Sequence, residues 1–172
     1  VTMQYDSAGN LLTVNNENGQ PISYQYDSRG TLVGSTDALG GQVVFERDAL
    51  SRITAVRNGR GSQVNISYNA AGQRSEVSYD GNRYVAYQYD PAGNLIKVQD
   101  SLGVTEYQYN PLNLLSQIQY PGDLAISYEY DAAGQISRVD YPNGLRLTYN
   151  YDSRGRITDL SWDGGGVEYQ YD

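Results

Sequence analysis

Tyr87-Gln88-Tyr89-Asp90-Pro91-Ala92-Gly93-Asn94-Leu95 states once a phrase that the chain repeats throughout: an aromatic pair, an acidic or amide residue, then glycine three positions on. With the acidic or amide residue as marker, the phrase falls at Asp6, Asp27, Asp48, Asn69, Asp90, Asn110, Asp131, Asp152 and Asp172. The steps between markers are 21, 21, 21, 21, 20, 21, 21 and 20 residues, which makes eight repeats over residues 1–172. A tandem period of this length sets the architecture before any single residue is interpreted. It also makes a residue that recurs in every repeat a structural element first and a catalytic candidate second.

The marker segment carries turn chemistry. Asp or Asn at its first position accepts a backbone N–H through its side chain, and Pro91 or Pro111 presets φ at the second. Gly9, Gly30, Gly72, Gly93, Gly134 and Gly155 take the fourth position, where a left-handed backbone closes a hairpin. Ser51 and Asn113 replace the glycine in two repeats. Asn tolerates positive φ, so Ser51 marks the weaker turn. A second turn is expected about thirteen residues after each marker. Its signals are Asn18-Gly19, Leu39-Gly40-Gly41, Asn58-Gly59, Asp80-Gly81, Pro121-Gly122-Asp123, Asn143-Gly144 and Asp163-Gly164-Gly165. Each repeat therefore reads as two strands and two turns.

Between the turns the pattern has period two. Return strands place Ile22/Tyr24/Tyr26, Val85/Tyr87/Tyr89 or Leu147/Tyr149/Tyr151 on one face and Ser23/Gln25, Ala86/Gln88 or Thr148/Asn150 on the other. Outgoing strands add an aliphatic residue eight after the marker, such as Val56 or Val139. In some repeats they add an aromatic ten after it: Tyr79, Tyr120, Tyr141 and Trp162. The Leu or Ile five after the marker is out of phase; a bulge beside the turn would return it to the tyrosine face, and without one it packs on the far side. The fold class is all-β, with tandem β-hairpin repeats forming one long, twisted and coiled antiparallel sheet and no helix. Some sixteen strands at about 4.8 Å spacing make a ribbon of roughly 75 Å, which must curl or pair to shield its aromatic face.

Composition narrows the function classes. A net charge of −8 argues against nucleic acid or an anionic membrane as partner. No apolar run approaches a membrane span, and Val1 does not open a signal-peptide pattern. With no cysteine and no histidine, Ser-His-Asp and Cys-His catalysis and a His/Cys zinc site are excluded. The periodic carboxylates are turn formers, since Asn69 and Asn110 hold the same place and cannot transfer a proton. No cofactor or metal site is expected. Arg47 and Arg74 stand where an aromatic and a leucine are due, which points to a salt bridge with Glu46, Asp48 or Glu76. Candidate ligand-binding residues are the wider-turn aromatics Tyr120, Tyr141 and Trp162.

Tyr89-Asp90-Pro91-Ala92-Gly93-Asn94-Leu95 and Tyr151-Asp152-Ser153-Arg154-Gly155-Arg156-Ile157 resemble the YD-repeat, or Rhs-repeat, family. The resemblance covers the whole chain. That family includes bacterial Rhs toxins, the shell component of insecticidal toxin complexes, wall-associated proteins and teneurins. It implies a β-sheet spiralling into a hollow shell that encloses a toxic domain, outside the cytoplasm. The chain then reads as a single array within a larger protein, a non-catalytic scaffold whose partners are the rest of the shell and the enclosed domain. The family's self-cleaving core motif is absent, since Asp90-Pro91-Ala92-Gly93 is an ordinary repeat turn. Two further readings remain open. One is adhesion to glycans or a cell-surface receptor through exposed aromatics; the other is edge-to-edge self-association.

Overall fold

The computed structural model describes residues 1–81 and 83–172, all of them strand, turn or irregular connection. The chain divides into two compact units, Val1–Val85 and Ala86–Asp172. In the first, β1 (Thr2–Tyr5), β2 (Leu11–Asn15), β3 (Pro21–Tyr26), β4 (Leu32–Thr36), β5 (Gln42–Arg47), β6 (Ile53–Asn58), β7 (Gln63–Tyr68) and β8 (Arg74–Tyr79) follow in order. Each pairs antiparallel with the next. The second holds β9 (Arg83–Tyr89), whose residues from Ala86 on pair with β10 (Leu95–Asp100). The meander continues through β11 (Gly103–Tyr109), β12 (Leu115–Tyr120), β13 (Leu124–Tyr130), β14 (Ile136–Asp140), β15 (Arg146–Tyr151), β16 (Ile157–Trp162) and β17 (Gly165–Glu168).

The register resolves the out-of-phase leucine. In every marker hairpin it shifts by one residue beside the turn: Tyr26 faces Leu32 while Gln25 faces Gly34, and Tyr130 faces Ile136 while Glu129 faces Arg138. The outgoing strand carries the extra residue, so each marker hairpin contains a bulge. Because directly opposed residues share a face, Leu32 and Ile136 lie on the tyrosine face, with Ser35 and Val139 three positions further on. The described second hairpins pair without a shift, as in Val14 with Ile22 and Val139 with Leu147.

The second turns are less uniform than Asn-Gly and Asp-Gly dipeptides imply. At residues 58–62 the left-handed glycine is Gly61 (φ 89°), not Gly59, and Asn58 opens the turn. Residues 16–20, 37–41 and 141–145 adopt the marker geometry, with the glycine N–H returning to the opening carbonyl. Among the described residues, neighbours both take positive φ at Asp80-Gly81 (49° and 73°) and at Gly122-Asp123 (81° and 60°). The turn at Ser101-Leu102, where Asp100 faces Gly103, lacks either dipeptide and escapes the sequence reading.

Burial is shallow. The buried hydrophobic residues are Ala55 (3% exposed), Val77 (7%) and Val139 (5%). The tyrosine face expected to be core is half-buried within each unit, because a single layer offers its side chains lateral neighbours and no opposing layer. Ala55 belongs to the other face, between Glu46 and Asn65, where a small side chain is covered by longer ones. That face also carries direct cross-strand ion pairs: Lys97–Glu106 at 3.8 Å, Arg138–Glu129 at 3.2 Å and Arg146–Asp140 at 2.7 Å. Being solvent-exposed, such pairs add little to stability.

Candidate functional site

The marker side chain accepts backbone N–H groups of its own turn. Asp6 Oδ1 accepts the Ala8 and Asn10 N–H groups at 2.9 and 2.8 Å, and Asp152 Oδ1 accepts those of Arg154 and Arg156 at 2.8 and 2.9 Å. Asn110 Oδ1 makes the same pair of bonds, to Leu112 and Leu114, without charge. The second carboxylate oxygen is taken by the residue four positions on: Asn94 Nδ2 donates to Asp90 at 2.9 Å, and Arg52 Nε to Asp48 at 2.7 Å. Those side-chain donors hold Asp48 and Asp90 below the usual carboxylate range, as Asn10 does for Asp6. For Asp27 and Asp152 the largest cause is the backbone N–H of Thr31 and Arg156. A carboxylate so held is a poor proton acceptor at neutral pH.

The two tyrosines of the phrase do different work. The one adjoining the marker reaches back across the sheet. Tyr26, Tyr68, Tyr109, Tyr130, Tyr151 and Tyr171 donate their hydroxyls to the carbonyls of Leu11, Ile53, Leu95, Leu115, Ile136 and Ile157, at 2.7 to 3.0 Å. Each accepting residue opens the bulged strand of the preceding repeat, where the ladder is interrupted and a carbonyl needs a donor. Arg47 occupies this position in its repeat and donates to the equivalent carbonyl, that of Leu32, through Nε and Nη2 at 3.4 and 3.3 Å. The salt bridge expected for Arg47 is therefore replaced by a carbonyl clamp. Glu46 pairs instead with Arg57, and Asp48 with Arg52. Arg74 lies opposite Tyr68, exposed and without an ion pair among the described residues.

This hydroxyl role was legible in the sequence as a restriction. The position before the marker holds Tyr or Arg and never Phe, whereas two positions earlier Met3, Phe45 and Ile66 replace tyrosine. Only a side chain with a donor meets the first requirement. The residue four after the marker adds a second tie between repeats. The Arg52 guanidinium lies 4.4 Å from the Tyr68 ring centre, and that of Arg156 lies 4.3 Å from Tyr171. Gln135 Nε2 donates to the Gly155 carbonyl of the next turn at 3.2 Å.

Tyr120 and Trp162 are each 38% exposed. Tyr141 is half-buried and opens the turn that closes at Leu145, a place held by Asn16, Asp37 or Asn58 in earlier repeats. The Trp162 indole lies over Gly165, so that a Cβ there would come within 3.0 Å of the ring. A hollow of about 530 Å³ in the first unit is lined by Glu46, Asp48, Arg52, Ala55, Asn65 and Ser67, its charged groups already paired. Among the described residues no three Asp or Glu side chains gather as metal ligands. No helix among them is long and apolar enough to cross a membrane.

The model of the Teneurin YD-shell family matches residues 1–172. No curated protein matches in sequence. Among solved structures, the chain is similar to part of a mutant Photorhabdus luminescens Tc holotoxin pore, with a TM-score of 0.70 at 16% identity over 92% of this chain. It is similar also to TcdB2-TccC3, with a TM-score of 0.60 at 17% identity over 99%, and to TcdB2-TccC3-Cdc42, with 0.59 at 15% over 99%. In each case it spans 12% of the length of the matched structure. At these identities the likeness is one of fold. By the match along its full length, the chain belongs to the Teneurin YD-shell family.

Proposed function

We propose that this chain is a segment of shell wall that encloses or displays an effector or toxin domain, a mechanical role without chemistry of its own. The observation that carries the reading is the disposition of the recurrent polar groups. Marker carboxylates, tyrosine hydroxyls and the residues four after the markers are spent on turns and on the adjoining repeat. The toxin-complex structures that share the fold support enclosure as the purpose of such a wall. The same relatives support a place of action outside the cytoplasm. Limited proteolysis of the longer polypeptide carrying these repeats tests the proposal. An adjoining domain should resist protease while the array is intact and become sensitive when Tyr130→Phe and Tyr151→Phe loosen it. Equal sensitivity in both would refute enclosure.

A second reading, adhesion to glycans, is favoured by the partial exposure of Tyr120 and Trp162, two repeats apart. Glycan-array binding lost on Trp162→Ala would support it, and an array without signal would remove it.

A further inference from the structure

We propose that Tyr107–Tyr120 and Tyr128–Tyr141 are sites of intramolecular dityrosine formation, the covalent staple of a chain that has no cysteine. The register carries the inference. Tyr107 faces Ile118 and Tyr128 faces Val139 across antiparallel pairs. Tyr120 and Tyr141 stand two residues beyond Ile118 and Val139, on the same side of the sheet. Each phenol pair is thus a cross-strand diagonal, at about 7–8 Å between backbones and within reach of two aromatic side chains. The phenols also sense one another. Burial raises the pKa of Tyr107, with Tyr120 as the neighbouring charge; burial likewise raises that of Tyr128, with Tyr120 and Tyr141 beside it.

The other repeats supply internal controls, because the diagonal is filled differently in each. Met3 meets Asn16, Tyr24 meets Asp37, Phe45 meets Asn58, Ile66 meets Tyr79 and Tyr87 meets Asp100. Tyr149 meets Trp162, whose indole is turned over Gly165, so that pair lacks a second phenol. Among the described marker hairpins, two phenols therefore share a diagonal only at Tyr107–Tyr120 and Tyr128–Tyr141, with Tyr141 also beside Tyr149 of the following strand. Placing Tyr141 at the turn also forgoes the Asx cap that Asn16 and Asp37 provide, where Oδ1 accepts two backbone N–H groups each. A local rule relinquished in this way is characteristic of a position kept for another purpose.

The chemistry needs a peroxide and a haem peroxidase as oxidant. Each phenol gives up one electron and its hydroxyl proton. The two radicals join through the ring carbons ortho to oxygen, and the hydrogens on those carbons return to oxygen as the rings regain aromaticity. Two tyrosines become one dityrosine, and one hydrogen peroxide becomes two waters. Exposed Tyr120 is the entry point for oxidation.

Treating the dilute full chain with a haem peroxidase and stoichiometric hydrogen peroxide tests this, read by dityrosine fluorescence and mass spectrometry of linked peptides. The expected products are Tyr107–Tyr120 and Tyr128–Tyr141 links in a chain that stays monomeric on a denaturing gel. Tyr120→Phe with Tyr141→Phe, which keeps both rings, should abolish both links, while Tyr79→Phe should leave the yield unchanged. Links spread over other tyrosines, or confined to intermolecular dimers, would overturn the proposal. So would a folded chain that forms none under conditions where the urea-unfolded chain does.

Discussion

Tyrosine and phenylalanine differ by one oxygen, and this chain separates them by position. Before the marker, the hydroxyl donates to the carbonyl of the residue at the bulge; two residues earlier, ring packing suffices. Tyr130→Phe is therefore expected to lower unfolding free energy by about 1 kcal/mol, with Tyr128→Phe costing clearly less, in urea titrations of the two variants. Arg47→Tyr should be tolerated, because tyrosine restores the donor used in the other repeats, whereas Arg47→Leu should cost about as much as Tyr130→Phe by the same measurement. The marker carboxylates give a pH dependence whose sign follows from their depressed values. Asp6, Asp27, Asp48, Asp90 and Asp152 contribute fully above the ordinary carboxylate value of 3.8. The contribution is lost as pH falls through their lower folded-state values. Replacing all five by Asn should flatten the acid limb of a stability–pH curve, since Asn110 makes the same turn bonds uncharged.

At the scale of the element, the hairpin is set by one left-handed residue and one extra residue. Ser51 is held at φ 63° and Asn113 at 59°, beside glycines at 76–92° in the other marker turns. Ser51→Gly should stabilise the chain by about 1 kcal/mol, more than Asn113→Gly, because Asn enters this region at lower cost. Gly155→Ala should destabilise it by about 1–2 kcal/mol, since it combines φ 78° with a Cβ 3.1 Å from Gln135 Nε2. Thermal melts of the three variants check the order. Marker turns and strand alternation were legible because Asp, Gly and period-two tyrosine encode them locally. The phase of Leu32 was left between two faces, since a bulge is decided by pairing across strands. The turn at Ser101-Leu102 carries no local signal beyond Asp100. The partner of Arg47 was misread because it is a main-chain carbonyl fifteen residues away in sequence, which no side-chain pattern marks. The location of Tyr120, Tyr141 and Trp162 was readable from spacing. Their diagonal partners emerge only from the register.

For the whole molecule, repetition sets what the fold can do. Within each unit, adjoining repeats are tied by ladders and hydroxyl clamps, and at some boundaries by a turn-to-turn side chain, so stability is a sum of like interfaces. Few side chains among the described residues are deeply buried, as expected of a single-layer wall. Family membership over residues 1–172 and the fold shared with toxin-complex structures agree with that reading. The most direct test is an electron-microscopy map of the longer polypeptide that carries these repeats. The account predicts that residues 1–172 run as tandem hairpins in the wall of a hollow body, with density for another part of the chain inside. An array that projects into solvent with no lumen behind it would contradict the account.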